Sequence, residues 1–177
     1  MGGRFEGEEL LVKYMVYNTG TPAGTIYMAS FNEEILRIEN NYDAFFKSIE
    51  RYGKVQRDES GILVEAKNQL KLYFAKKLRV FKLPLYIDGT PFNMSLWNEL
   101  MKIPYGKTTT YGKISKDIGK PKAAQAVGRA VGLNPIPFII PCHRVIGKDG
   151  SLTGFRLGLD VKKFLLNLEA EKSYLNE

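Results

Sequence analysis

Hydrophobic positions alternate with a period of two in the first part of the chain and recur at helical spacing later. Residues 13–17, 24–31 and 35–39 read as short strands, separated by turn signals at Asn18-Thr19-Gly20 and Asn32-Glu33. Residues 43–52 suit a short helix. Residues 59–77 predict a better one, with Ile62, Ala66, Leu70, Tyr73 and Phe74 on one stripe. An extended segment follows at 81–87. This half predicts a small antiparallel sheet with a packed helix and carries no evident chemistry of its own. The polar residues 1–9 read as weakly tied down.

The pattern changes at Asp88-Gly89, which divides the chain into an N-terminal scaffold domain, 1–88, and a C-terminal domain, 89–177. Thr90 suits an N-cap and Pro91 the first helical position, before an apolar stripe of Phe92, Leu96, Leu100 and Ile103. Pro104 and Gly106 end that helix. A helix-turn-helix pattern comes next. Thr110 caps a short helix carrying Tyr111, Ile114 and Ile118, Gly119 ends it, and Pro121 opens a second helix reaching about Gly132. At 100° per residue Ala123, Ala124, Val127 and Val131 face inward, while Lys122, Gln125, Ala126, Gly128 and Arg129 face outward. An outward face of such small residues suits close approach to another surface. The last helix is capped by Asp160, with Leu159 and Phe164 as a hydrophobic staple and Val161, Phe164, Leu165 and Leu168 as its buried stripe. Glu169 lies at the edge of that stripe. The expected class is α+β, a small sheet with a helix joined to a mainly helical half.

Between the two C-terminal helical regions lies 134–145, where a short apolar run, Phe138-Ile139-Ile140, predicts a buried extended segment ended by Pro141. It holds the only cysteine and the only histidine of the 177 residues, Cys142 and His143, side by side. A lone cysteine is most often an inert core residue. Beside an imidazole and the Arg144 guanidinium it can instead become a nucleophile, because a thiol near pKa 8.5 reacts as thiolate and needs a base or a positive charge.

Bulk composition narrows the setting. The 44% apolar and 25% charged content is that of an ordinary globular protein. No apolar run approaches a bilayer span, and the acidic N-terminus is unlike a signal peptide. One cysteine excludes an internal disulfide and suits a reducing compartment, hence a cytoplasmic location. One cysteine with one histidine also disfavours a Cys/His metal site. The net charge of +7 is uneven. Residues 1–88 carry 13 basic and 12 acidic side chains, whereas 102–163 carry 12 basic ones against Asp117, Asp149 and Asp160. That asymmetry points to a polyanionic partner.

Pro141-Cys142-His143-Arg144-Val145-Ile146 resembles the active-site signature of the O6-alkylguanine-DNA alkyltransferases. Gly89-Thr90-Pro91-Phe92, Trp97, Ile103-Pro104-Tyr105-Gly106, Thr110-Tyr111-Gly112, Asn134-Pro135 and Gly154-Phe155 fall in that family's order and spacing. The resemblance is strong over about 70–170 and general before that. It implies direct, irreversible transfer of an alkyl group from O6-alkylguanine, with O4-alkylthymine as a further candidate, in double-stranded DNA to Cys142. Each molecule would act once, as a monomer and without a cofactor. Glu169, His143 and Cys142 would form a proton relay, and the Tyr111 hydroxyl would protonate the leaving guanine. Asn134 would tie the recognition helix to the active-site turn and Arg144 would brace that turn. The main chain at Cys142 and Val145 would hold the guanine amino group.

The second helix of the helix-turn-helix would enter the minor groove while the target nucleotide swings out. Where the family has an arginine to fill the vacated gap, this chain has Gln125. Arg129 lies one turn later as a phosphate or sugar contact, with Lys122, Ala126 and Gly128 on the same face. In the pocket loop Phe155 replaces a frequent tyrosine, Arg156 follows, and Leu157 stands where others have glycine, predicting a bulkier rim that favours methyl over benzyl adducts. Some relatives carry an N-terminal structural zinc, for which this chain lacks ligands. Two other readings stay open on the residues alone: a cysteine hydrolase using Cys-His-Glu, and a non-catalytic lesion-binding module.

Overall fold

A computed structural model describes residues 10–170; the reading of 1–9 falls outside them. Strands β1 (Leu11–Asn18), β2 (Thr25–Phe31) and β3 (Glu34–Glu39) form an antiparallel meander. Helix α1 (Tyr42–Ile49) follows, capped by the Asn41 side chain, and one further 3₁₀ turn completes the helical stretch. Strand β4 (Lys54–Arg57) then adds parallel to β1, giving the order β3-β2-β1-β4. The sheet is therefore mixed, not purely antiparallel. β4 is four residues long and largely exposed, so it leaves little hydrophobic trace. Gly53 brings it to the edge of β1, at φ +149, where a Cβ would collide with the Leu10 carbonyl.

Helix α2 (Gly61–Phe74) packs on the sheet face opposite α1. The 81–87 segment touches β3 through a single bridge, Ile35 with Leu85, flanked by Ile35 N–H to Pro84 and Tyr86 N–H to Ile35.

The C-terminal half begins with α3 (Pro91–Leu100). Thr90 accepts from the Asn93 N–H, and Leu96, Trp97 and Leu100 are buried. β5 (Thr109–Thr110) leads into α4 (Tyr111–Asp117), capped by Thr110, and then α5 (Ala124–Gly132). α5 starts three residues later than Pro121 suggests, because Ala123 N–H closes a turn onto Lys120. Val127 and Val131 are buried as expected; Ala130 joins them, while Ala124 is exposed. β6 (Val145–Ile146) pairs parallel with β5, and α6 (Leu159–Glu169) closes the fold. The N-cap of α6 is Gly158, with φ +105, not Asp160, which sits in the first turn where its charge suits the helix dipole. Leu159 is exposed and forms no staple.

One hydrophobic core runs through both halves, from Met15, Met28 and Ile38 through Leu63 and Leu70 to Leu96, Val127, Ile140 and Leu165. The smaller cluster on the other sheet face holds Val12, Phe31, Phe45 and Ile49. Backbone and side chains also cross between the halves: Ile38 N–H donates to Pro135, and Asn40 Nδ2 to the Leu157 carbonyl. Among the described residues no helix is long and apolar enough to cross a membrane.

Candidate active site

Residues 134–141 form a turn, not an extended segment. Three prolines, at 135, 137 and 141, deny it ladder hydrogen bonds, and the Asn134 side chain supplies replacements. Its Oδ1 accepts from the Ile136 N–H at 3.0 Å and its Nδ2 donates to the Ile140 carbonyl at 2.7 Å. Ile140 N–H returns to Ile136, and Cys142 N–H to Ile140. Phe138 is buried at φ +72, a left-handed conformation costing roughly 1–2 kcal/mol that the surrounding bonds hold in place. The turn delivers Cys142, His143 and Arg144 on a single 3₁₀ turn, all buried. Asn134 Nδ2 also donates to the Cys142 sulfur at 2.9 Å.

Glu169, at the end of α6, collects five hydrogen bonds. Oε1 accepts from His143 Nε2 at 2.8 Å, from the Tyr73 hydroxyl at 2.6 Å and from Arg144 Nη2 at 2.9 Å. Oε2 accepts from Arg144 Nε at 2.9 Å and from the Gly106 N–H at 3.1 Å. Arg144 Nη1 continues to the Ile103 carbonyl at 2.6 Å. The approach of Gly106 demands its lack of a side chain: φ is +73, and a Cβ would stand 2.8 Å from the Glu169 carbonyl oxygen. Arg144 thus braces the turn against both Glu169 and the Ile103 carbonyl.

Burial alone would raise the Glu169 pKa, but the bonds from His143, Arg144 and Tyr73 outweigh it and hold the carboxyl well below its usual range. Burial lowers the pKa of His143 despite the opposing pull of Glu169, so the ring is neutral near pH 7. An ionised carboxylate only accepts, so the ring proton sits on Nε2 and Nδ1 is left as a bare acceptor. That Nδ1 is buried with no hydrogen-bond partner among the described residues. Burial also pushes the Cys142 thiol up to about 11, countered by the Asn134 hydrogen bond and by the charges of Lys162 and Arg156. The site at rest is a protonated thiol beside a neutral base, with cationic groups placed to favour the thiolate.

An open cavity of about 840 Å³ adjoins this centre, lined by Tyr111 and Phe155, by Gln125 and Gly128 of α5, and by Arg37 and Arg156. Phe155 stands edge-on to the His143 ring, with centroids 6.5 Å apart. The Tyr111 hydroxyl donates to the Thr153 carbonyl at 3.1 Å.

Residues 91–171 match the model of the family described as "6-O-methylguanine DNA methyltransferase, DNA binding domain". The chain is 57% identical over 105 residues to the methylated-DNA–protein-cysteine methyltransferase of Methanosarcina acetivorans, covering 59% of this chain and 67% of that protein. It is 40% identical over 150 residues to the constitutive Bacillus subtilis protein of that name, covering 84% of this chain and 91% of the relative. The chain belongs to the methylated-DNA–protein-cysteine methyltransferase family. A crystal structure of a Mycobacterium tuberculosis member in complex with DNA superposes with a TM-score of 0.77 at 36% identity, over 89% of this chain and 92% of that one.

Within this family member the residues singled out from sequence divide into groups. Cys142, His143, Arg144, Asn134 and Glu169 come together in one buried cluster. Tyr111, Phe155, Arg156, Gln125 and Gly128 share the cavity wall. Lys122, Ala126 and Arg129 are exposed on or just before α5, outside that wall. Val145 is buried in β6, paired with Thr109 of β5, and its carbonyl accepts from Lys162 Nζ at 2.6 Å. Leu157 is a correction. It is buried in the core and does not line the cavity, because the turn into Gly158 swings it inward.

Two residues of this cluster are not singled out by the sequence. Tyr73 comes from α2, in the half read as mere scaffold; a tyrosine within a leucine stripe was the available signal, since a buried hydroxyl needs a partner. Lys162 is fully buried on α6, donating to the Val145 and Thr153 carbonyls at 2.6 and 2.9 Å. Its position seven residues before Glu169 placed it on the same helix face.

Proposed function

We propose that this protein repairs DNA by taking the alkyl group of O6-alkylguanine in duplex DNA onto Cys142, once per molecule. The observation that carries the reading is the His143 ring, held by Glu169 through Nε2, with Nδ1 buried and without a partner among the described residues, and the chain's single thiol on the adjoining residue. In the reaction the thiol proton passes to Nδ1, through one bridging water. The sulfur attacks the alkyl carbon, an S–C bond forms and the C–O6 bond breaks. Tyr111 donates a proton to a ring nitrogen of the departing guanine and regains one from solvent, to which the His143 imidazolium gives up its own, so thiol plus alkylguanine become thioether plus guanine. Asn134 Nδ2 and the cationic Lys162 and Arg156 favour the transient thiolate.

The DNA lies against α5, whose exposed Ala124 and Ala126 and half-buried Gly128 allow close approach to the minor groove. The target nucleotide swings into the cavity bounded by Tyr111 and Phe155, and Gln125, which lines that cavity, fills the gap it leaves. Arg129, outside the cavity, meets a phosphate or sugar, and Lys122 adds a further positive charge nearby. The single thiol fits a reducing compartment such as the cytoplasm, and the cluster of Cys142, His143, Arg144 and Glu169 is complete within one chain, as a monomer would need. In this reading a scaffold domain, 1–88, supports a reactive domain, 89–177, and Tyr73 draws the first into the relay.

Incubation with a duplex holding one O6-methylguanine, followed by intact mass measurement, tests the proposal. The expected result is a gain of one CH₂, mapped to Cys142 and never exceeding one per chain. Binding of the lesion without any mass gain would instead support a non-catalytic lesion binder.

A further inference from the structure

Between the sheet and the helical half runs a crevice of about 560 Å³, into which three guanidinium groups project, from Arg37 on β3, Arg51 and Arg156. Two of them are paired. Arg51 meets Asp88 at 3.2 Å, and Arg156 meets Glu39 at 2.5 Å. The Arg37 side chain makes no hydrogen bond or ion pair among the described residues, and its Nε is buried without any partner. A buried guanidinium N–H facing no acceptor is costly, and native structures rarely keep one without use. Burial and the neighbouring charge of Arg156 pull the Arg37 pKa down to about 10, with Glu39 opposing, which still leaves the group charged at neutral pH.

The placement of Arg37 gives this surplus cation a direction. It lines the crevice and also the 840 Å³ cavity, whose remaining walls include Tyr111, Gln125 and Gly128. The same side chain therefore looks out beside the helix face against which the DNA is placed above. A guanidinium presents a planar fork of donors that fits the oxygens of a phosphate in pairs.

We propose that Arg37 binds a backbone phosphate of the DNA next to the swung-out nucleotide, extending the DNA footprint from the helical half onto the N-terminal sheet. This rests on the functional reading above. Swinging a nucleotide into the cavity draws its flanking phosphates toward the protein. Arg37 is the wall residue there with an unused charge, because Arg156 is already held by Glu39.

The test is single-turnover methyl transfer at rising protein concentration, with the wild type, Arg37→Ala and Arg37→Lys. Arg37→Ala should raise the half-saturating concentration roughly tenfold and reduce the slope of log affinity against log salt by about 0.9, one phosphate's worth. Its maximal rate should be unchanged, and Arg37→Lys should recover most of the affinity. Duplexes with single neutral methylphosphonates near the lesion should locate the contact: one position weakens the wild type and leaves Arg37→Ala unaffected. An unchanged concentration and slope, or methylphosphonate penalties equal in both proteins at every position, would overturn the assignment. So would a defect confined to a carboxymethyl adduct, which would assign the guanidinium to the adduct instead. Should the wild type transfer no methyl group, the functional reading fails by itself, and anisotropy titration of undamaged duplex across salt concentrations still reads the Arg37 contribution.

Discussion

The two ends of the relay are built differently. At the carboxylate end Glu169 is saturated: five donors from α2, the loop after α3 and the active-site turn meet its two oxygens. At the sulfur end Cys142 has Asn134 Nδ2 as its side-chain contact, and His143 Nδ1 has none. The contrast separates holding from reacting. The saturated end fixes the ring tautomer and joins the two halves, while the sparse end keeps a lone pair and a thiol available. Substitutions at the carboxylate end should therefore damage fold and chemistry together, and those at the reactive face should damage chemistry alone.

The largest expected effect follows Glu169→Gln, which leaves Arg144 buried without its counter-charge. Urea unfolding should show a loss of about 3–5 kcal/mol, and transfer should slow by about 10²–10⁴ as the base loses its orientation. Intact stability in this variant would break the comparison. Leu157→Gly comes next. As a buried core residue it should cost about 2–5 kcal/mol, with no selective gain in rate for a benzyl over a methyl adduct; such a gain would restore Leu157 to the rim.

Tyr73→Phe removes one bond to a charged acceptor. A loss of about 1.5–3 kcal/mol is expected, with methyl transfer slowed roughly tenfold, less than the full contribution of a positioned base. An unchanged rate would confine Tyr73 to the scaffold. The smallest effects on the fold come from the recognition helix, where Gln125→Ala and Arg129→Ala should leave the urea midpoint unmoved. Gln125→Ala should slow repair of a lesion in duplex far more than in single-stranded DNA, whereas Arg129→Ala should mainly weaken binding. A duplex-specific defect seen with Arg129→Ala alone would reassign the gap-filling role.

How much of this was legible beforehand depended on whether a residue's neighbours lie close in sequence. Cys142 beside His143 and the Thr90 and Thr110 caps are local features and stand as read, while the stripes of α2 and α3 stand in part: Ala66, Leu70, Tyr73, Leu96 and Leu100 are buried, but Ile62, Phe74 and Phe92 are half-buried and Ile103 lies past the end of α3. What escaped depends on contacts distant along the chain. Tyr73 and Glu169 are 96 residues apart, and the stripe that revealed the helix also disguised the tyrosine as core. Lys162 was counted among surface charges although its amine is sequestered under two carbonyls. Leu157 was judged by its place in a motif, but the backbone at Gly158 decides which way it points. β4 is too short and polar to show a period, and Asn134 turns an apolar run that resembles a strand into a closed loop.

The most direct test of the central claim, that a neutral His143 takes the proton of a buried thiol, is the pH dependence of single-turnover methyl transfer. Burial lowers the His143 pKa from 6.5, so the rate should rise with pH only below about that value, as the ring loses its proton. It should then stay level up to the approach of the thiol's own pKa of about 11. A rate that instead climbs tenfold per pH unit from neutrality toward pH 10 would mean that bulk hydroxide, not His143, removes the proton, and would contradict the account.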